Sequence, residues 1–173
     1  MALVPEDRHL QGLVLEHSIE RNLTLPRLPA FSTWGWFQAG AALARAKRAV
    51  SHLSVKAPNA GVHVKNLSGG NQQKVVFGKW SEPRPHILLL DEPTVGVDVG
   101  AREEIYGFIR DAAAAGTSVL LVSSDLNELL ALCHRISIVV DGRVLNTLAR
   151  AEIESAESLH HHLQTQQTKE QAA

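Results

Sequence analysis

At 173 residues and 45% hydrophobic composition, the chain is long enough for one ordinary domain with a sizeable core and too apolar for a disordered segment. Lys and Arg (17) nearly cancel Asp and Glu (18), leaving a formal net charge of −1 that supports neither a nucleic acid nor a membrane surface as partner. A single cysteine, Cys133, rules out an internal disulfide, no leader opens the sequence, and no apolar run approaches the roughly 18 residues that span a bilayer, so a cytoplasmic protein is expected.

The chain opens at Met1-Ala-Leu-Val-Pro with no upstream strand in view. Residues 5–30 mix short apolar runs with Pro5, Pro26 and Pro29, and Glu16 to Leu23 suits one irregular helix. Phe31 to Val55 reads as a helix or a broken pair, with Ser32 as a candidate N-cap and Leu43, Ala46, Val50 and Leu53 along one face. Arg45, Lys47 and Arg48 then read as a solvated basic face ahead of a binding patch, and Trp34, Trp36 and Phe37 are expected to pack, with docking on a partner open to any exposed fraction. Lys56 to Lys65, with Pro58, Asn59 and Gly61, is a turn-rich connector.

The most informative stretch is Leu67 to Asp98, LSGGNQQKVVFGKWSEPRPHILLLDEPTVGVD. Ser68 suits an N-cap, and Gly69 and Gly70 allow close backbone approach where helix N–H groups and the helix dipole attract an anion. Helical spacing runs over Asn71 to Trp80, until Pro83 and Pro85 stop it. His86 to Leu90 is an apolar run of strand length that delivers Asp91 and Glu92 at its carboxyl end, where open α/β sheets bind ligands. One acid there can hold Mg²⁺ and its neighbour can orient or deprotonate a water, a pairing that suits phosphoryl transfer.

Beyond Asp98, Ala101 to Ala115 carries a helical stripe of Ile105, Phe108, Ile109 and Ala112, and Thr117 to Ser123 is a β-branched apolar strand. Leu126 to Leu132 is helical, and Arg135–Val140 and Arg143–Leu148 flank an Asp141-Gly142 hairpin turn. Residues 149–163 are expected to form a last amphipathic helix, and the tail 164–173 has nothing apolar to bury and is expected to be disordered. His160, His161 and His162 point around that helix and make no metal site.

LSGGNQQK followed by ILLLDEPTVGVD resembles the signature, Walker B and D-loop segments of ABC-type ATPases. With PEDRHLQGLVLEHSIERNLTL and DEPTVGVDVGA, the chain is most similar to the second ATPase domain of simple-sugar (ribose, galactose or xylose type) ABC importers. The resemblance implies an α/β fold of the P-loop NTPase type: a partial domain with a parallel sheet flanked by helices and a helical signature subdomain, its amino-terminal phosphate-loop part missing. Expected boundaries are a Q-loop and signature part over 1–80, a Walker B to hairpin part over 81–150, the terminal helix over 151–163 and the tail over 164–173.

By the same resemblance, Asp91 serves Mg²⁺, directly or through water, and Glu92 is the general base. Ser68, Gly69, Gly70 and Asn71 touch the γ-phosphate held by an opposite half, and Asp98 communicates across the dimer. Glu6 falls at the Q-loop position, and Ser124 stands where the family places a switch histidine, a site able to hydrogen-bond phosphate but not to carry a proton near neutral pH. Val95 departs from the Arg of the sugar-importer pattern, and His134 is a surface substitution.

The implied cofactors are ATP and Mg²⁺. The implied partners are integral-membrane permease subunits, a second ATPase domain and, indirectly, a sugar-binding protein outside the cytoplasm, with no nucleic acid; the implied location is the cytoplasmic face of the cell membrane. The sequence contains no GxxxxGK[ST] loop, so an amino-terminal truncation and weak ATP binding by this chain alone are expected. Two other readings are open: a DNA-associated chromosome or repair ABC ATPase head, against which stand the missing heptads and charge excess, and a non-catalytic interaction fragment.

Overall fold

Ile87–Asp91 forms the central strand β4, with Leu88 and Leu90 buried and Asp91 exposed at its end. Around it, the computed structural model describes residues 1–82 and 84–171, the final six by backbone alone. Ala2–Val4 is a parallel neighbour, β1, with Ala2, Leu3 and Val4 opposite Leu88, Leu89 and Leu90. Ser118–Val122, β5, takes the other side, so the sheet order is β1-β4-β5. The opening strand was not expected from the sequence, because three residues are too few to show a period of two.

Two compact units make up the chain, Met1–Leu120 and the part from Leu121 onward. Helices from both sides of residue 80 share one core. Gly69–Gly78 (α3) is buried at Gly70 and from Gln72 onward, and its Phe77 packs edge-on against Phe108 at 5.2 Å between ring centroids. Phe108 belongs to Val99–Ala114 (α4), whose buried Ala101, Ile105, Phe108, Ile109 and Ala112 follow the expected stripe. Edge-to-face aromatic pairs of this kind add about 0.5–1.5 kcal/mol beyond the area they bury. Pro83, expected to help stop α3, lies outside the described residues, and α3 ends at Gly78.

The helical part of the first unit contains Ile19–Thr24 (α1), capped by Ser18, whose hydroxyl accepts from Arg21 N at 3.2 Å, and Ala39–His52 (α2). Between them a two-residue turn joins Ser32–Thr33 (β2) to Trp36–Phe37 (β3), so Ser32 pairs with Phe37 in a small hairpin and caps no helix. Trp34 and Gly35 form that turn with φ of +53° and +82°, the left-handed pair that matches strand twist. A tryptophan there costs on the order of 1–2 kcal/mol relative to glycine. Nor do the hairpin aromatics pack as expected: Trp34 is 95% exposed and Trp36 81%.

Arg45 corrects the expectation of a wholly solvated basic face. It is buried, 4% exposed, and its guanidinium donates to Glu82 O at 2.7 and 3.1 Å, to Lys79 O at 3.3 Å and to Leu23 O. Burial, with Arg27 nearby, lowers its pKa from the usual arginine value. The fork of five donors lets arginine gather three carbonyls from two chain segments, so charge alone did not dictate its exposure. Lys47 and Arg48 are exposed as expected.

In the second unit, Leu126–Leu132 (α5) starts at Asp125, whose carboxylate accepts from Asn127 N at 3.0 Å and Glu128 N at 3.4 Å. Arg135–Val140 (β6) and Arg143–Ala149 (β7) pair antiparallel around the expected Asp141-Gly142 turn. Ile136, Ile153 and Leu159 form this unit's core, with Leu126, Leu129, Leu130, Cys133 and Leu148 packed around it. The last helix, α6, spans Ala156–Gln171, later at its start than expected and continued through most of the tail read as disordered. Gln, Lys and Glu are good helix formers and the tail has neither Gly nor Pro, so helix can propagate without a buried face; Ala172 and Ala173 lie outside the described residues.

Candidate functional site

The end of β4 meets the start of α3 and the loop before α4 in one place. After Asp91 the backbone turns sharply: Glu92 has φ +44°, Val95 N donates to Glu92 O at 3.2 Å, and Val97 N donates to Thr94 O at 3.2 Å. A non-glycine residue at that φ stores strain of order 1–3 kcal/mol, which proteins concentrate at functional positions. Asp91 is exposed and Glu92 half-buried, while Pro93 and Thr94 are buried beneath them. Gln73 of α3 holds this turn from below, its Nε2 donating to Pro93 O at 2.7 Å.

Ser68 takes the backbone conformation of an N-cap, φ −63° and ψ 157°, but makes no side-chain cap. Its hydroxyl accepts from Asn71 Nδ2 at 2.8 Å instead, and Asn71 Oδ1 accepts from Lys56 N at 2.7 Å. The opening N–H groups of α3, at the positive end of the helix dipole, therefore keep no serine side-chain cap. A Cβ on Gly70 would stand 2.7 Å from Ala101 Cβ and 3.0 Å from Asp98 Oδ2, so only glycine lets α3 approach the D-loop this closely. Asp98 itself caps α4, Oδ1 accepting from Ala101 N at 2.9 Å.

Arg8 is a residue that sequence reasoning missed. Its Nη1 donates to Val95 O at 2.9 Å, and its Nη2 lies 3.0 Å from where a Gly69 Cβ would be and 3.5 Å from that of Gly96. It thereby joins the opening segment, the signature turn and the loop after Walker B. The one signal was a lone cation two residues beyond Glu6, within a run that reads as an ordinary surface turn. Next to it, His9 Nε2 meets Gln72 Oε1 at 2.9 Å, and Glu6, Asp7, Arg8, His9 and Val95 line one surface depression.

Of the residues singled out from sequence, then, Ser68, Gly69, Gly70, Asn71 and Asp98 share one surface of the first unit, reached from Glu6 through Arg8. Asp91 and Glu92 lie at its strand end, tied to α3 through Pro93 and Gln73. Ser124 belongs to the second unit, exposed in the bend between β5 and α5. Among the described residues no group of three His, Cys, Asp or Glu side chains could hold a metal ion.

A parallel sheet carrying two acids at a strand end, with a glycine-opened helix beside them, defines the core of a nucleotide-binding cassette. The dimeric post-hydrolysis structure of the ATP-binding cassette MJ0796, bound to ADP and Pi, shares this fold at a TM-score of 0.71, with 24% identity over 86% of this chain and 62% of that one. A second dimeric structure of that bacterial ABC transporter cassette gives 0.69 with 25% identity and the same coverage.

The ABC transporter family profile matches residues 1–95, and the chain belongs to that family. It is 46% identical over 144 residues to the ribose import ATP-binding protein RbsA of Geobacillus kaustophilus, covering 83% of this chain and 29% of that protein. RbsA of Chromobacterium violaceum is 49% identical over 147 residues, covering 83% and 28%. The arabinose import ATP-binding protein AraG of Rhizobium etli is 41% identical over 155 residues, covering 89% and 31%. The chain thus spans less than a third of the length of these relatives.

Proposed function

We propose that this chain forms part of the ATP-binding subunit of a simple-sugar ABC importer, in which ATP draws two nucleotide-binding halves together and hydrolysis lets them part. The observation that carries the reading is the close packing of the signature turn on the Asp98 loop at Gly70, beside the strand end that bears Asp91 and Glu92. Similarity to ribose and arabinose import proteins supports the substrate class.

In this reading Glu92 orients the attacking water and accepts its proton, and Asp91 contributes a carboxylate to Mg²⁺. A lone carboxylate suits a cation whose other ligands are waters and substrate phosphates. Bound there, Mg²⁺ neutralises phosphate charge. Ser68, Gly69, Gly70 and Asn71 present the uncapped start of α3 to a phosphate held by the opposite half, and Asp98 couples the two halves. Ser124 offers a hydroxyl to the phosphate, and Glu6 stands at the turn that senses the membrane subunits.

The partners in this proposal are permease subunits, a second ATPase domain and, through the permease, a sugar-binding protein; the place of action is the cytoplasmic face of the membrane. No helix among the described residues is long and apolar enough to cross a bilayer. The test is Glu92→Gln in a subunit extended to the full length of its relatives and reconstituted with permease. ATP turnover should fall about 10²–10⁴-fold with ATP binding retained. Unchanged turnover would remove Glu92 from the chemistry.

A further inference from the structure

The near-zero net charge conceals a strong segregation. Between Glu20 and Glu82 the sequence contains none of its 18 Asp and Glu residues and nine of its 17 Lys and Arg residues. Arg45 and Lys74 of this stretch are buried, Lys79 is half-buried with its Nζ donating to Gly12 O at 2.6 Å, and Arg48 and Lys65 form surface ion pairs with Glu82 and Glu16. Arg21, Lys47 and Lys56 are exposed and have no ion pair among the described residues. From Arg21 through Ser81 the first unit therefore shows cations to solvent and no carboxylate, with Glu20 in α1 and Glu82 marking the two ends of the stretch.

The same part carries the largest exposed aromatic groups among the described residues. Trp34 at 95%, Trp36 at 81% and Phe37 at 49% exposure project from the β2–β3 hairpin. Leu25 and Leu28, each about two-fifths exposed, lie in the preceding turn, which is tied to the hairpin where Ser32 Oγ donates to Leu28 O at 3.1 Å. Gln38 N closes the hairpin base on Phe31 O at 2.7 Å, so the tip is a fixed projection. A bulky side chain at positive φ is an uncommon choice for a turn, and here it holds an indole at the apex.

We propose that this hairpin docks directly on an anionic lipid surface, with Trp34 and Trp36 seated among the headgroups and the exposed cations of α1 and α2, Arg21 and Lys47, drawn by the surface charge. Indoles favour the membrane interface, where one edge is apolar and the other wet, and a few cations strengthen attachment to anionic lipid. Single-stranded nucleic acid also takes aromatics with cations, but it needs a groove that tracks its backbone; an apex with nothing within 4 Å of where a Gly35 Cβ would be offers none. The inference stands on this surface and does not depend on the import reading.

The test is flotation of the 173-residue chain with vesicles of phosphatidylcholine alone or mixed equally with phosphatidylglycerol, with tryptophan emission recorded alongside. Binding to the anionic vesicles, weakened by salt and accompanied by a blue shift, is expected. The double variant Trp34→Ser/Trp36→Ser, at two exposed positions, should keep its helix content and lose about tenfold or more in affinity together with the shift; Lys47→Glu should weaken binding to anionic vesicles and leave binding to neutral ones unchanged. Equal binding to both vesicle types, undiminished binding of the double variant, attachment only to vesicles that contain permease, or preferential capture by a single-stranded oligonucleotide would each overturn the proposal.

Discussion

Gln73 on the signature helix donates through Nε2 to the carbonyl of Pro93, 2.7 Å away at the exit from the Walker B strand. That bond ties the signature helix to the turn that follows Asp91 and Glu92. Gln73 is 2% exposed, so no solvent replaces it if it is lost.

Replacing Gln73 by Leu leaves the Pro93 carbonyl without its donor in a dry place. A loss of about 1–3 kcal/mol in unfolding free energy is expected. Urea denaturation followed by circular dichroism measures it, and a variant as stable as the parent would show that the turn is held by other contacts.

At Gly70 the constraint is space and charge together. Gly70→Ala should already cost about 1–3 kcal/mol, because its Cβ would stand 2.7 Å from Ala101 Cβ. Gly70→Asp adds a negative charge beside Asp98 and against the proposed phosphate, so in a full-length subunit ATP-driven closure should fail even at temperatures where the variant remains folded. Closure measured by crosslinking between halves separates that effect from simple unfolding.

Arg45 predicts a failure of conservative substitution. Its guanidinium reaches the carbonyls of Leu23, Lys79 and Glu82, and lysine cannot serve three acceptors set apart in this way. Both Arg45→Lys and Arg45→Met should therefore destabilise by about 2–3 kcal/mol, as thermal unfolding would report; full stability in the lysine variant would show that charge alone suffices.

Burial, with Glu128 adding to it, pushes the Cys133 thiol above its usual value. A raised pKa means less thiolate at any pH below it, so iodoacetamide should modify the folded chain at pH 8 about tenfold more slowly than the denatured chain. Equal rates in the two states would mean that the thiol is not shielded.

Long periodic elements were legible without coordinates. Helix α4, strand β5, helix α5 and the Asp141-Gly142 hairpin fall within one or two residues of expectation, because their apolar spacing and turn residues agree with the fold that surrounds them. What escaped was set by tertiary partners: β1 is a strand because β4 lies beside it, and Arg45 is buried because three carbonyls meet there. The Trp34-Gly35 turn lacks the Asn-Gly or Asp-Gly that announces a hairpin, so its aromatics read as core. In the site, the motif spacing pointed to Gly70 and Asp98 separately; their contact, and the place of Arg8 between them, needed the packing.

Arg8 has a consequence for how such chains diverge. Its guanidinium fills the space that side chains at positions 69 and 96 would otherwise occupy, and it holds the carbonyl at 95. Three stretches separated by some sixty and then some thirty residues therefore share one volume. A shorter side chain at position 8 opens room for a Cβ at 69, which would stand 3.0 Å from the present guanidinium, while position 96 is also held to glycine by its φ of +67°. Sequence change across these positions is thus expected to be correlated, and a chimera that exchanges the opening segment without the signature should inherit a mismatch that neither parent carries.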